Sequence, residues 1–282
     1  MTATAPRSTA ETSIDDDLAF AIALAARAGE LLMDRYERLE RIDYKSARDV
    51  VTEADHLSEE LIIDAIRARN RGDAIYAEES GEHRAVEGEA PTSGLGRVWV
   101  IDPLDGTVNY ANGIPFFCVS IGLVVDGSPA VGVVHDPTRA ETFAATTGGP
   151  SVLMSPLGTP SHEMTASSKE QLSDLVISLS LSGRAVAGRA RNVRKAIRIS
   201  RSMGSAALAL SYVGNGRFDA FIQQGGLSPW DIAAAGLIAE RGGAVVTSMD
   251  GGPWFDIGQS PRSIGVLAAP KPHHATLLDL VR

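Results

Sequence analysis

Near Ala74 the spacing of apolar residues changes period, and that change restricts the chain to a mixed α and β fold. Before it, Ile14, Leu18, Ile22, Ala25, Leu32 and Tyr36 recur at helical spacing, which predicts one amphipathic helix reaching about Arg41. Ser13 precedes the acids Asp15, Asp16 and Asp17, a composition suited to the positive end of a helix dipole. Thr52 opens a second helix, with Asp55 at the third position of a capping box and Leu57, Leu61, Ile62 and Ile66 as its stripe. Short β-like runs then take over. These are Ala74–Ala77, Val98–Ile101, Val119–Val125 and Ala130–Val134, the last two joined by the turn pair Asp126-Gly127.

Gly148-Gly149-Pro150 and the Pro/Gly/Ser stretch to Pro160 mark a boundary. Beyond it, strands near Leu175–Leu179, Phe218–Gln223, Ala244–Thr247 and Ile264–Ala268 alternate with helices. The helices are expected across Arg189–Ile199, from Gly204, across Asp231–Arg241 and after Pro272. Hairpins thus dominate the first half and βα alternation the second, with no fixed-period repeat. The reading divides the chain into a mobile tail over 1–13, a half over 14–150 and a half over 151–282.

Composition removes several classes of function. The 282 residues suffice for one large domain or two joined halves. Lys and Arg number 26 against 35 Asp and Glu, a net charge of -9, and an acidic surface repels phosphate backbones, so no nucleic-acid partner is expected. The basic stretch from Arg184 to Arg201 reads as a solvated helix face. Cys118 is the single cysteine, which excludes an internal disulfide and a cysteine-rich zinc site. No apolar run is long enough to cross a membrane, and the first 13 residues lack a secretory pattern; a cytoplasmic location is expected. The six histidines form no compact ligand spacing, and no G-x-S-x-G elbow is present.

The chemistry gathers in the carboxylates. The apolar run Val98–Ile101 leads straight into Asp102-Pro103-Leu104-Asp105-Gly106-Thr107. A turn there can bring Asp102 and Asp105 together and present the Leu104 carbonyl. Two ionised carboxylates held close in a dry site repel one another unless they share a proton or hold a cation. Oxygen ligands of this kind suit magnesium or manganese. Glu78 and Glu79 follow another short strand, Asp231 opens an apolar helix, and Lys45, Asp49, Thr52 and Asp55 lie at or before a helix start. Each group alone has a plain explanation as a loop or a helix cap. Two patterns that look similar do not fit: the D-x-D-G-T phosphatases have one residue, not two, between their aspartates, and the twelve-residue calcium loop is absent.

In order along the chain, these segments resemble the inositol monophosphatase family of magnesium-dependent phosphatases. The resemblance rests on Asp49-Val50-Val51-Thr52-Glu53-Ala54-Asp55, Glu78-Glu79-Ser80 and Asp102 through Tyr110. It continues through Pro115-Phe116, Val119-Ser120-Ile121-Gly122, Gly204-Ser205-Ala206-Ala207 and Trp230 through Ala235, with Gly242-Gly243 after them. The implied fold is a layered αβαβα sandwich, an α+β half followed by an α/β half with the site at their junction. The resemblance implies that Glu78, Asp102, Asp105, Asp231 and the Leu104 carbonyl hold two or three Mg²⁺ ions, with Mn²⁺ as a substitute. It gives Thr107, Asp55 and Glu78 the activation of the attacking water, and Lys45, Asp49 and Glu79 a supporting role. Gly106, Thr107, Gly204, Ser205, Ala206, Gln224 and Asp231 are then expected at the substrate.

The implied activity is phosphomonoester hydrolysis on a small phosphorylated metabolite, inositol monophosphate first. Histidinol phosphate, fructose bisphosphate and phosphoadenosine phosphate are the competitors within the family, and a non-catalytic regulatory protein or a calcium-stabilised structural protein the alternatives outside it. Family members are often homodimers. Three departures bear on substrate: Val108 follows Thr107 where many relatives have a second Thr, Gln224 stands where inositol-preferring members have a Glu, and Gly148-Gly149-Pro150-Ser151 replaces a loop that usually ends in Asn-Gly.

Overall fold

The computed structural model describes residues 13–38, 42–46, 49–83, 96–155, 162–181 and 186–282. The first helix, α1 (Ile14–Arg35), is capped by Ser13, whose side chain accepts the Asp16 amide at 3.1 Å. A small antiparallel pair, β1 (Ile42–Ser46) and β2 (Asp49–Thr52), leads into α2 (Glu53–Arg69). Then come β3 (Ala74–Ala77), β4 (Gly81–His83), β5 (Arg97–Asp105), the short helix α3 (Thr107–Ala111), β6 (Cys118–Val125) and β7 (Ser128–Asp136). The strands β8 (Glu141–Thr146), β9 (Val152–Met154) and β10 (His162–Glu163) complete one sheet of eight, in the order β10-β9-β8-β7-β6-β5-β3-β4. This sheet therefore runs past residue 150, and the crossover to the second half comes after Glu163.

The second half holds β11 (Val176–Ser180), α4 (Ala187–Ala196), β12 (Ile199–Arg201), α5 (Ala206–Gly214), β13 (Ala220–Leu227), α6 (Pro229–Arg241), β14 (Ala244–Ser248), β15 (Ile264–Pro270) and α7 (Lys271–Val281). Its five strands form a second sheet in the order β12-β11-β13-β15-β14, parallel from β12 to β13 and antiparallel beyond. The layers follow from which faces are apolar. One core lies between α1, α2 and the large sheet, around Leu24, Leu32, Ile62 and Trp99. A second fills the space between the sheets around α5 and α6, and a third lies between the small sheet and the pair α4 and α7. The result is the five-layer αβαβα sandwich.

Helix α6 is buried on every side from Ile232 to Ala239, as expected of a helix sandwiched between two sheets. Its small residues allow a very close approach. A Cβ built on Gly132 of β7 would lie 2.6 Å from the Ala234 carbonyl, and one on Gly122 of β6 would lie 3.1 Å from Ala233 Cβ. Charges brace the other side. Asp17 is fully buried and meets Arg69 of α2 at 3.2 Å and Arg97 of β5 at 2.8 Å, while Asp73 accepts from Arg97 at 3.0 Å and from the Trp99 indole at 2.8 Å. Asp17 thus turns inward to arginines instead of serving only the helix dipole. This network sets α2 against β5, the two elements that carry Asp55 and Asp102. Among the described residues no helix is long and apolar enough to cross a membrane.

Candidate active site

In a regular strand, residues three apart face opposite sides of the sheet. Asp102 and Asp105 escape that geometry because β5 continues through Pro103 with a bulge. Asp102 pairs with Ser120 and Asp105 with Cys118, so three steps on β5 match two on β6. Leu104 donates its amide to Asp102 Oδ1 at 3.0 Å and holds the bulge from within. Gly106 follows at φ +103°, where a Cβ would stand 3.1 Å from the Phe116 carbonyl and from Phe117. Only glycine passes there without strain, and the chain then turns into α3 at Thr107.

Asp231 comes from the other side of the molecule, in the first turn of α6. Oxygens of Asp102, Asp105 and Asp231 all lie within 4.8 Å of one another. Burial raises the Asp102 pKa well above the usual carboxylate range, and the charges of Glu78, Asp105 and Asp231 push it further. Burial likewise raises Asp231, with Asp105 the next contributor and the Ser228 amide pulling back. Asp105 is raised by burial and drawn down by hydrogen bonds from Ser205 and the backbone of α5. Such a set of oxygens, crowded and partly dry, is disfavoured unless positive charge is supplied, and it fits a hard divalent cation.

The capping explanations for Asp55 and Asp231 are both correct, and neither exhausts the residue. Asp231 Oδ2 accepts the Ser228 amide at 2.6 Å. Asp55 Oδ2 accepts the Thr52 amide at 2.8 Å and its hydroxyl at 2.6 Å. A carboxylate has two oxygens. The second oxygen of Asp55 accepts the Thr107 hydroxyl at 3.0 Å, and the same hydroxyl lies 3.0 Å from the Leu104 carbonyl. Burial raises the Asp55 pKa to about 6 against the lowering effect of Thr52, and the charge of Glu79 adds to the rise.

Helix α5 aims its N-terminus at the cluster. Ser205 donates its hydroxyl to Asp105 Oδ2 at 2.6 Å and Ala207 donates its amide to the same oxygen at 2.7 Å. Ser205 is buried, so its hydroxyl serves Asp105. Cys118 is fully buried behind the same carboxylate, with Sγ 3.8 Å from Asp105 Oδ2, and its thiol is raised well above the ordinary range by burial and then by Asp105. Gly204, at φ +84°, packs on Asn109, whose side-chain amide donates to the carbonyls of Phe116 at 2.7 Å and Met203 at 2.8 Å.

A cleft of about 280 Å³ opens over Asp105 and Asp231 and is walled by Ser178, Ser180, Ser202, the segment 203–206 and Gln223. Larger hollows, of about 440 and 460 Å³, lie beside His135 and beside Lys169, away from the cluster, so size does not locate the site. The lining takes in Gln223 and not Gln224. Phe221 and Gln223 both reach the cleft, two apart on β13, whereas Gln224 faces the other way and is exposed. Sequence reasoning gave no role to Glu59, to Asn109, to the serines of β11 or to Ser58, whose hydroxyl donates to the Pro103 carbonyl at 2.9 Å. Glu59 had a signal: it follows Asp55 by four residues and so shares its helix face. The side chains of Lys45 and Asp49, in β1 and β2, lie outside the described residues, as do residues 1–12 and Arg184.

Comparison with known proteins agrees with this geometry. The family model described as the inositol monophosphatase family, a family of metal-dependent phosphatases, matches residues 13–282. The Nus factor SuhB of Pasteurella multocida (strain Pm70) is 37% identical over 245 residues, covering 83% of this chain and 86% of the relative. A Thermotoga maritima protein named fructose-1,6-bisphosphatase/inositol-1-monophosphatase is 33% identical over 241 residues, covering 84% and 86%. Among solved structures, the extragenic suppressor protein suhB of Bartonella henselae superposes with a TM-score of 0.82 at 28% identity, covering 94% of this chain and 98% of that one. The expectation that nucleic acid is no partner of this chain is unsupported. With the match running from residue 13 to the last residue and the acidic cluster in place, this chain belongs to the inositol monophosphatase family.

Proposed function

We propose that this chain hydrolyses the phosphomonoester of a small polyol or sugar, inositol monophosphate first among them, using Mg²⁺ or Mn²⁺ held by Glu78, Asp102, Asp105, Asp231 and the Leu104 carbonyl. The observation that carries this reading is the convergence of Asp102, Asp105 and Asp231 from two distant segments, at a cost in repulsion that a bound cation would offset. Divalent cations held there would supply positive charge to the ester and make a bound water acidic near neutral pH, which would let an acid-lined cleft accept an anionic ester.

The residues of the chain supply the proton path. The Thr107 hydroxyl has one proton, and Asp55 is placed to take it. The Thr107 oxygen then has lone pairs with which to accept a proton from the attacking water, and Asp55 becomes the final acceptor. A pKa of about 6 lets Asp55 hold and release that proton near neutrality. Glu78 orients the water from the opposite side, with Glu79 beside Asp55 as a further negative charge. The backbone of Gly204, Ser205 and Ala206 meets the phosphate.

Substrate preference follows from the wall. Ser178, Ser180, Ser202 and Gln223 offer neutral donors and acceptors that match hydroxyl groups. Among the described lining residues none is basic, which favours a monophosphate over a bisphosphate, and Phe221, itself buried, is the one aromatic and gives an adenine little to stack on. The test is phosphate release from inositol, histidinol, fructose and adenosine phosphates with Mg²⁺ and with chelator. Metal-dependent release is expected to be fastest from inositol monophosphate, and Gln223→Ala is expected to shift the ranking while Gln224→Ala does not. Release that persists in chelator defeats the reading.

The pH profile checks the proton path. A carboxylate base works only when ionised, so kcat/KM is expected to fall as pH drops through about 6. Asp55→Asn keeps an oxygen for the Thr52 cap but cannot take the proton. It is expected to lower kcat about 10²- to 10⁴-fold, the usual range for a lost general base. An acid limb at the same pH in a still active Asp55→Asn variant would assign the base elsewhere.

A further inference from the structure

Glu59 has no part in the proton path or the ligand set above, yet it is a carboxylate only 4% exposed on α2, one turn beyond Asp55. Burying a carboxylate is costly unless its oxygens are satisfied. Here both oxygens go to one place. Oε2 accepts the Glu79 amide at 2.9 Å and Oε1 accepts the Ser80 amide at 2.9 Å. These are consecutive amides of the turn between β3 and β4, immediately after Glu78. The Glu78 amide is itself bonded to the Ile101 carbonyl at 3.2 Å, one residue before Asp102. The turn is therefore tied to β5 on one side and to α2 on the other. Ser80 is exposed, so water competes for the turn wherever Glu59 does not hold it.

From this geometry we infer that Glu59 is a positioning residue, which sets the Glu78 carboxylate at the acidic cluster by fixing the two amides that follow it. The inference rests on the phosphatase reading above and extends it. A carboxylate accepting two backbone amides makes charge-assisted bonds, short and directional. Glutamine at 59 keeps the volume and one acceptor oxygen, but its amide nitrogen then meets an N–H donor, so one of the two amides is left unpaired. The turn loosens and Glu78 loses its fixed position. The consequence is weaker cation binding with the proton path of Thr107 and Asp55 intact.

The experiment is Mn²⁺ titration by calorimetry on the full chain, with the Mg²⁺ dependence of phosphate release beside it. Glu59→Gln is expected to weaken Mn²⁺ binding about 10- to 100-fold, the usual effect of removing a group that orients a ligand. The Mg²⁺ concentration for half-maximal rate should rise in parallel, with kcat at saturating Mg²⁺ little changed. Glu60→Gln, an exposed change on the same helix, should alter neither quantity. A folded Glu59→Gln variant with wild-type Mn²⁺ affinity, or with reduced kcat at unchanged affinity, overturns the inference. Amide hydrogen exchange in the unaltered protein tests it without a variant: the Glu79 and Ser80 amides are expected to be protected, and fast exchange at both overturns it even if Glu59→Gln fails to fold. If the unaltered protein binds no Mn²⁺ and releases no phosphate while those amides are protected, the phosphatase reading fails and the hold of Glu59 on the turn stands.

Discussion

Asp102→Asn is expected to abolish phosphate release and, measured in chelator, to raise the melting temperature. The two effects have one cause. Asp102 is 1% exposed, and its charged form is disfavoured first by burial and then by Glu78, Asp105 and Asp231. Asparagine keeps an oxygen for the Leu104 amide, now 3.0 Å from Asp102 Oδ1, and removes the repulsion. The gain should be about 1–2 kcal/mol, typical where a functional group is removed from a destabilised site. Mg²⁺ should then reverse the order, because a ligand at 100 times its Kd adds ~2.7 kcal/mol to the protein that binds it and less to one that does not. Scanning calorimetry of both proteins, with and without Mg²⁺, is the check. An Asp102→Asn protein that turns over like wild type, or melts lower in chelator, would show that these carboxylates are not held together against their own repulsion.

The second large effect comes from a residue that touches no part of the cleft. Gly132→Val is expected to cost about 3 kcal/mol, at the upper end of the usual penalty for overpacking a core. The added side chain would begin 2.6 Å from the Ala234 carbonyl, a backbone atom in a helix closed in by two sheets, so there is no flexible neighbour to move aside. Helix α6 must shift away from β7, and Asp231 at its start shifts with it. Turnover should therefore fall more than the loss of folded protein explains. Denaturant unfolding gives the first quantity, and the rate per folded molecule at saturating substrate gives the second. If the rate per folded molecule is unchanged, α6 does not set the position of Asp231 through this contact.

Helix ends and strands were legible where local chemistry decides them. The Thr52–Asp55 capping box, the Ala74–Ala77 strand and the Asp126-Gly127 turn are all found in the structure. The first helix ends at Arg35, short of the expected Arg41. The strands β8, β9 and β10 were missed, and each is an addition to the edge side of a sheet, where pairing with a neighbour rather than periodicity makes the strand. Gln224 was placed by position in a motif. Only the register of β13, with Gln223 opposite Val266, decides that the side chain two residues from Phe221 is the one in the cleft.

Residue identities and spacings were enough to name the acids, because hard oxygen donors, a strand running into Asp102 and a helix opening on Asp231 are properties of the chain itself. They could not say that the acids meet. That depends on a one-residue bulge that turns Asp102 and Asp105 to a common side, and on glycines that let α6 settle against β6 and β7. The physical reason is that a carboxylate has two oxygens and a local motif accounts for only one of them; where the second one goes is a matter of packing between distant segments, 52 residues apart for Asp55 and Thr107 and more than a hundred for Asp231 and the pair Asp102 and Asp105.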